Sequence, residues 1–590
     1  MWVSGPPGCG KTTLVSSYIS TRGNPCLWYR VNEGDNDIAS FFYYMGLAAR
    51  RAVPGKRGPL PLLTPEYLPG LSLFTQRFFE NLFGRLVAGS VVVFDDYQKV
   101  PEPSRFHEVI RDGLACLPGG MNAVVIGRSG PPPPFARKRV HKQMELVGWK
   151  DLRLDSGETR GIARLRGKQK RSAGEFRYLQ KRSDGWVAGL VLLLDTSSGE
   201  ALKTQRLSEH APEEVFEYFA GEIFEGLEEE ARSFLLKSAF LPKMTARMAE
   251  RITGERRAGA ILFQLNRRNY FTEVHREAEP VYEFHPLFRD FLLSRAGDVF
   301  SPNYLLRLRG RAAGILAESG HDEEASEIFR GLGNWDGVTR ILLKRAPDLV
   351  RQGRSGTLAE GIASLPKEVR EENPWLLYWA GVCRLPSFPG ESLRDFEEAF
   401  RRFRVRKEPE GSFLAWSGAV DAIVYGPGSL KSLDPWFSTL EGLLRAHKQF
   451  PSPEVEIQVT CTVIKALALR RPSFVDMEKW AERAASLART TRDIRLKFTL
   501  LLNVGYYRFH SGEFQEVELL LDTLRGLSRK PEISSLPRLT AYWLEAAHAN
   551  MNGQHERCLK VVTEGIELGR STGVHLMDFL LLGHGALCSL

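Results

Sequence analysis

Residues 1–13 of the chain read MWVSGPPGCGKTT. Gly5, Gly10, Lys11 and Thr12 have the spacing G-x-x-x-x-G-K-[ST], which is typical of a phosphate-binding loop. In such a loop, backbone N–H groups surround the phosphates, the lysine reaches the β and γ oxygens, and the hydroxyl ligates Mg²⁺. The helix predicted from Lys11 adds its positive N-terminal end. The stretch therefore predicts a nucleotide site formed by Gly5, Pro6, Pro7, Gly8, Cys9, Gly10, Lys11, Thr12 and Thr13.

A second stretch, SVVVFDD at residues 90–96, predicts the partner of this loop. Its apolar run is typical of a fully buried parallel strand, and carboxylates follow at the edge where such sheets bind ligands. This is the Walker B pattern, in which Asp95 would hold Mg²⁺ through water together with Thr12, and Asp96 would polarise the attacking water. The alternative is a pair of solvated aspartates at the end of a strand.

Two further strands are predicted, at residues 25–31 and 122–126. The first is followed by an acidic turn in which Asp37 is most simply a helix N-cap. The second is followed by Arg128, whose guanidinium would sense the γ-phosphate because it can contact phosphate oxygens bidentately. The alternative for Arg128 is an ordinary surface arginine.

Length and composition indicate several domains and no membrane segment. The 590 residues exceed the ~250–300 at which single cores stop growing. No apolar run approaches the ~18 residues of a membrane-spanning helix, and no signal peptide precedes the loop. The seven cysteines are scattered without a CxxC pair, which argues against a zinc site or a disulfide framework. We therefore expect a cytoplasmic protein with no membrane partner.

The net charge of +9 is concentrated in one segment. Residues 137–182 contain 15 Lys/Arg against five Asp/Glu, so this segment carries the whole basic excess. Such a run can meet nucleic acid or phosphates, but a solvated helical face is the more common explanation.

Several ordered motifs resemble the nucleotide-binding domain of MalT-like, LuxR-family regulators, which belong to the STAND class of P-loop ATPases. They are GPPGCGKTTL, WYRVNEGDND, VVVFDDYQKV, VVIGRSGPPPPFAR and DLRLDSGE. Residues 183–190, SDGWVAGL, are similar to the GWxxGL helix of that family. Residues 238–242, 269–271 and 282–288 are similar to its winged-helix segment. The resemblance covers about residues 1–297.

The resemblance implies four domains and a nucleotide cofactor, ATP or ADP with Mg²⁺. The domains are a P-loop α/β domain at 1–155, a helical lid at 156–213, a winged helix at 214–297 and a TPR-like sensor at 298–590. It also implies that His285 contacts the ADP β-phosphate and latches a closed form. The preference for ATP over GTP rests on this kinship alone.

Beyond about residue 301 the sequence predicts continuous helices joined by short glycine-centred turns. Gly320, Gly512 and Gly553 each separate two apolar helical segments, and the last two are 41 residues apart, a spacing typical of helical-hairpin repeats. We therefore expect a TPR-like α-solenoid. Its tryptophans would line a groove or, as the simpler alternative, pack in the core.

These features predict a signal-responsive ATP/ADP switch, at most a slow regulatory ATPase. An inducer, a small molecule or a protein, would bind the helical repeats, and ATP would promote self-association. We expect the sequence to be truncated at both ends. DNA would then be contacted only through a C-terminal domain beyond these residues. The alternatives are a nucleotide-binding scaffold whose repeats bind a protein partner, and a stand-alone ATPase.

Overall fold

The computed structural model describes residues 1–53, 59–141, 143–165, 176–177, 179–180, 183, 185–195, 224, 227–267, 272–275, 279–470, 477–530 and 532–589. The chain divides into two compact units, each discontinuous in sequence. The first contains residues 1–32, 89–102 and 120–341, and the second contains residues 33–88, 103–119 and 342–590. Much of the basic segment, residues 196–213 of the predicted lid and residues 269–271 lie outside the described residues.

The first unit contains a five-stranded sheet in which every pairing is parallel. Its strands are β1 (Trp2–Ser4), β2 (Cys26–Arg30), β3 (Val91–Asp95), β4 (Asn122–Gly127) and β5 (Leu146–Val147). Their order is β2-β3-β4-β1-β5, so β4 lies between the phosphate-loop strand and the aspartate strand. The strands predicted at residues 25–31, 90–96 and 122–126 are confirmed as β2, β3 and β4. The two-residue β5 is too short to carry a sequence signal.

Helices alternate with these strands along the chain. They are α1 (Lys11–Arg22), α2 (Ile38–Ala52), α3 (Leu71–Phe83), α4 (Arg105–Ala115), α5 (Ala136–Val140), α6 (Trp149–Leu152), α7 (Ser156–Leu165) and α8 (Val187–Asp195). Asp37 caps α2 as predicted, because its carboxylate accepts a hydrogen bond from the backbone N–H of Ala39.

The winged-helix segment belongs to the first unit. It comprises α9 (Glu229–Ser238), α10 (Ala246–Thr253), α11 (Ala258–Arg267), the antiparallel strands β6 (Thr272–His275) and β7 (Val281–Phe284), and α12 (Pro286–Val299). Met244 and Tyr282 exchange two backbone hydrogen bonds, at 2.9 and 2.8 Å, which attach the wing to the helices. The predicted winged helix is confirmed.

In the second unit, α2, α3 and α4 share an aromatic core. Phe41, Phe42, Phe78, Phe79 and Phe106 are all fully buried. The rings of Phe41 and Phe106 meet edge to face with centroids 5.1 Å apart, an arrangement that aromatic pairs favour.

The remaining chain is helical at every described position of regular structure, as predicted. The helices are α13 (Pro302–Glu318), α14 (Asp322–Gly331), α15 (Trp335–Arg351), α16 (Ser355–Ala363), α17 (Lys367–Glu372), α18 (Pro374–Arg384), α19 (Pro389–Arg406), α20 (Pro409–Tyr425), α21 (Asp434–Ala446), α22 (Pro453–Arg470), α23 (Met477–Thr490), α24 (Ile494–His510), α25 (Phe514–Ser528), α26 (Ser535–Met551), α27 (His555–Thr572) and α28 (Asp578–Ser589). Gly320, Gly512 and Gly553 have φ of +83°, +78° and +68°, so each turn uses the left-handed conformation that favours glycine.

The tryptophans of the repeats take part in packing. Trp416 is fully buried, and its indole N–H donates to the carbonyl of Trp436 at 2.8 Å. Trp436 and Trp543 are partly buried against the same core. Within the described part of the chain, none of the helices combines the length and apolar character needed to cross a bilayer.

Candidate functional site

The phosphate loop has the geometry that its glycines allow. Gly8 and Gly10 have φ of +70° and +83°, a backbone conformation that is strained for other residues. The Lys11 ammonium donates to the carbonyls of Gly5 at 2.8 Å and Pro6 at 2.9 Å. The lysine charge and the N-terminus of α1 therefore face the same loop, an arrangement suited to an anion.

The start of α8 packs directly on this loop. The Trp186 indole N–H donates to the carbonyl of Pro7 at 2.9 Å, and the Ala188 amide donates to that of Gly8 at 3.0 Å. A Cβ on Gly8 would lie 2.8 Å from the Ala188 Cβ. The GWVAGL motif thus contacts the phosphate loop. In the sequence, only the family resemblance drew attention to this motif.

Thr12 and Asp95 lie together at the opening of the site. The Thr12 hydroxyl donates to the Asp95 carboxylate, with oxygens 3.2 and 3.3 Å apart. Burial and then the neighbouring Asp96 carboxylate raise the pKa of Asp95 above its ordinary value, because both disfavour its ionised form. Hydroxyl and carboxylate oxygens are ligands that a hard cation such as Mg²⁺ prefers. Among the described residues no cluster of three or more His, Cys, Asp or Glu side chains offers another metal site.

Asp96 has the opposite environment. It adopts φ of +56° at the end of β3 and accepts hydrogen bonds from Arg30 Nε at 2.8 Å and Gln98 Nε2 at 3.2 Å. Burial alone would raise its pKa, but Arg30 outweighs that effect and holds the pKa of Asp96 below its ordinary value. The two neighbouring carboxylates therefore differ in character: the surroundings oppose ionisation of Asp95 and favour ionisation of Asp96.

Gln98 connects Asp96 to the predicted phosphate-sensing arginine. Its side-chain oxygen accepts from the Arg128 backbone N–H at 3.2 Å, while its amide donates to Asp96. The Arg128 side chain is exposed at the tip of β4. Trp2 supports the next residue, since its indole N–H donates to the carbonyl of Ser129 at 3.0 Å. Among the predicted residues, Thr13 is exposed and its hydroxyl bonds to none of the described residues.

The winged helix reaches the same edge of the sheet. Arg30, besides its bond to Asp96, lies 3.3 Å from the Glu283 carboxylate on β7, and His275 Nε2 lies 3.5 Å from that carboxylate. His285 follows β7 and precedes α12. Burial lowers the pKa of His285 below its ordinary value, and the positive charge of Arg128 acts in the same direction. The carboxylates of Glu273, Asp290 and Glu283 oppose this shift without cancelling it. We call Arg30, Glu283 and His285 the winged-helix latch.

Arg30 and Glu283 are the residues that sequence analysis missed. They lie 253 positions apart, so no local pattern connects them. The only available signal is the place of Arg30 at the end of a strand that borders the aspartate strand, where parallel sheets gather functional side chains.

Two comparisons with known proteins agree with this architecture. The family model of the MalT winged-helix domain matches residues 220–301. A solved STAND protein with a tetratricopeptide repeat sensor from Pyrococcus horikoshii aligns over 100% of this chain and 83% of its own, at 14% identity and a TM-score of 0.67. The ORC1 protein of Aeropyrum pernix in complex with DNA aligns over 50% of this chain and 87% of its own, at 15% identity and a TM-score of only 0.24.

The chain shares its fold, with a P-loop sheet, a winged helix and helical repeats, with the solved STAND protein from Pyrococcus horikoshii. Its winged helix is of the MalT type over residues 220–301.

Proposed function

We propose that the chain is a nucleotide-dependent switch, the nucleotide-binding and sensor part of a MalT-like transcriptional regulator of the cytoplasm. The observation that carries this proposal is the position of Arg30, whose guanidinium contacts both Asp96 of the nucleotide sheet and Glu283 of the winged helix. A residue that touches both elements can make the state of one depend on the position of the other.

Lys11 and the amides of the phosphate loop would bind the phosphates of ATP or ADP, and Thr12 and Asp95 would hold Mg²⁺. When bound, Mg²⁺ neutralises charge on the phosphate oxygens. Arg128 would contact the terminal phosphate, and His285 would contact the β-phosphate of ADP. Trp186 and Ala188 would cover the loop and exclude water from it, since both donate to its carbonyls.

Arg30 donates a hydrogen bond to Asp96, the carboxylate that would orient the attacking water. While Arg30 binds Asp96, that carboxylate is a poorer acceptor for a water proton. Movement of the winged helix would remove Glu283 from Arg30 and change the environment of Asp96. The contact is half-exposed, and exposed ion pairs contribute about 0–1 kcal/mol. It therefore biases the closed form by itself but does not lock it.

The modest energy of the latch agrees with a switch that needs two signals. A shift from 1:99 to 99:1 requires about 5.5 kcal/mol of differential binding. We infer that the exchange of ADP for ATP supplies one part and an inducer on the helical repeats supplies another. The open form would then self-associate, and DNA would be contacted through a further domain.

The experiment is to identify the nucleotide released from purified protein by mass spectrometry and to measure the native mass with ADP and with ATP. The proposal predicts bound ADP and a monomer, with larger species in ATP. Lys11→Ala should bind no nucleotide and show no change of mass. Tightly held ADP without self-association in any condition would favour a scaffold, and rapid turnover without an inducer would favour a stand-alone ATPase.

A further inference from the structure

The first repeats of the second unit enclose a cavity of about 260 Å³ between α16, α17, α18 and α19. Its apolar wall is formed by Ile362, Leu376, Leu377 and Ala380. Small-molecule sites are generally clefts of about 300–1,000 Å³, so this smaller cavity has room only for a ligand of a few heavy atoms.

Five charged side chains also line the cavity, and four of them form two pairs. Lys367 lies 3.7 Å from Glu371, and Arg384 Nη1 donates to Asp395 at 2.5 Å. Burial raises the pKa of Asp395, whereas the charge of Arg384 opposes that rise. These four residues contribute no net charge to the cavity.

Arg370 is the fifth charged residue, and its charge is uncompensated. Its Nε is buried and has no hydrogen-bond partner among the described residues, and the two carboxylates that line the cavity are paired with Lys367 and Arg384 instead. A buried donor without an acceptor is costly unless a ligand supplies one. The guanidinium presents its donors as a planar fork that matches the two oxygens of a carboxylate.

We propose that this cavity binds a small organic acid, with its carboxylate on Arg370 and a short apolar chain against Ile362, Leu376 and Leu377. A monoanion is favoured over a dianionic phosphate because only one positive charge is uncompensated. The organic acid bound in this cavity would be the inducer of the proposed switch. That regulatory role rests on the proposed function. Binding itself does not depend on the nucleotide site.

The binding test adds butyrate to the full chain. Binding is measured by the shift of the thermal unfolding midpoint and by calorimetry. Butyrate should raise the unfolding midpoint, while butanol, which has the same chain and no charge, should not. Arg370→Gln should weaken butyrate binding at least ten-fold. Arg394→Gln, an exposed arginine on α19 outside the cavity, should bind as the unaltered chain does. Ala380→Leu fills the cavity without changing any charge and should also abolish binding.

Three results would overturn the site: no shift with butyrate, an equal shift with butanol, or equal binding by Arg370→Gln and Arg394→Gln. Tighter binding of butyl phosphate than of butyrate would contradict the carboxylate assignment.

A second measurement separates the site from the switch. Lys11→Ala, which should bind no nucleotide, should still bind butyrate. The inducer role predicts that butyrate accelerates release of ADP from the unaltered chain at least two-fold. Butyrate binding with unchanged ADP release would contradict the inducer role and leave the binding site standing.

Discussion

The guanidinium of Arg30 donates to the carboxylate of Asp96 at 2.8 Å. The same guanidinium lies 3.3 Å from Glu283, although Glu283 belongs to the winged helix and Asp96 to the sheet that carries the phosphate loop. This arrangement gives the winged helix direct influence over the carboxylate that is the best candidate for orienting water.

The phosphate loop should be sensitive to a single methyl group at Gly8. Gly8→Ala places a Cβ 2.8 Å from the Ala188 Cβ, in addition to the cost of a left-handed alanine. Gly23→Ala is the matched control, because Gly23 has φ of +64° but nothing within 4 Å of its added Cβ. Both variants should lose about 1–2 kcal/mol of stability for conformational reasons. Only Gly8→Ala should lose nucleotide binding, by ten-fold or more in a titration with a fluorescent ATP analogue.

Asp95→Asn should make the nucleotide-free protein more stable at pH 7. The pKa of Asp95 is raised, so at neutral pH its ionised form costs folding free energy that a neutral amide would not. The gain in thermal midpoint should shrink as the pH falls towards the pKa of Asp95, where the carboxyl takes up a proton. The same variant should weaken binding of ATP with Mg²⁺. A loss of stability at pH 7 would mean that the hydrogen bond to Thr12 outweighs the burial of the charge.

These carboxylates show what the sequence could predict and what it could not. Residues 90–96 indicated a buried strand that ends in two aspartates, and β3 has this form with Val91 to Phe94 buried. The difference between Asp95 and Asp96 was not predictable, because it arises from Thr12 and Arg30 on other elements. The start of α3 at Leu71 was equally beyond local pattern, because it follows a 3-10 turn over Pro65–Gly70 that is held by the buried ring of Tyr67.

The pH dependence of the fold should report the environment of His285. Burial lowers the pKa of this imidazole below its usual 6.5, so in the folded state it resists protonation. Its contribution to stability is therefore complete above about pH 6.5 and is lost as the pH falls through the lowered pKa. Thermal midpoints measured from pH 7.5 to pH 5 should fall more steeply for the unaltered chain than for His285→Gln. Parallel curves would show that His285 is not held neutral.

Arg354 should connect α2 to the helical repeats within the second unit. It is 2% exposed, its Nε donates to the Ser40 hydroxyl at 2.7 Å, and its guanidinium lies 4.9 Å from the Tyr44 ring centroid. Thr357 also donates to the Asp37 carboxylate. Arg354→Ala should lose about 1.5–3 kcal/mol, typical of hydrogen bonds to a charged group.

The readout for Arg354→Ala is hydrogen exchange in a peptide that spans residues 33–45, which should exchange faster. Arg351→Ala is the control, because the Arg351 guanidinium is exposed and pairs with Asp348 of the same helix. Equal protection of the peptide in both variants would show that Arg354 does not hold α2.

The central claim, that the winged helix sets the environment of Asp96 through Arg30, is tested most directly by basal ATP hydrolysis of Glu283→Gln. Glu283 and Asp96 share the Arg30 guanidinium, so without the Glu283 charge Arg30 pairs with Asp96 alone and makes that carboxylate a poorer acceptor. An exposed pair worth up to about 1 kcal/mol should then lower phosphate release by up to about five-fold. Glu279→Gln, an exposed residue just before β7, is the control and should hydrolyse ATP at the unaltered rate. In an Asp96→Asn background, Glu283→Gln should make no further difference. The same rate for Glu283→Gln and Glu279→Gln, with nucleotide bound in both, would contradict the account.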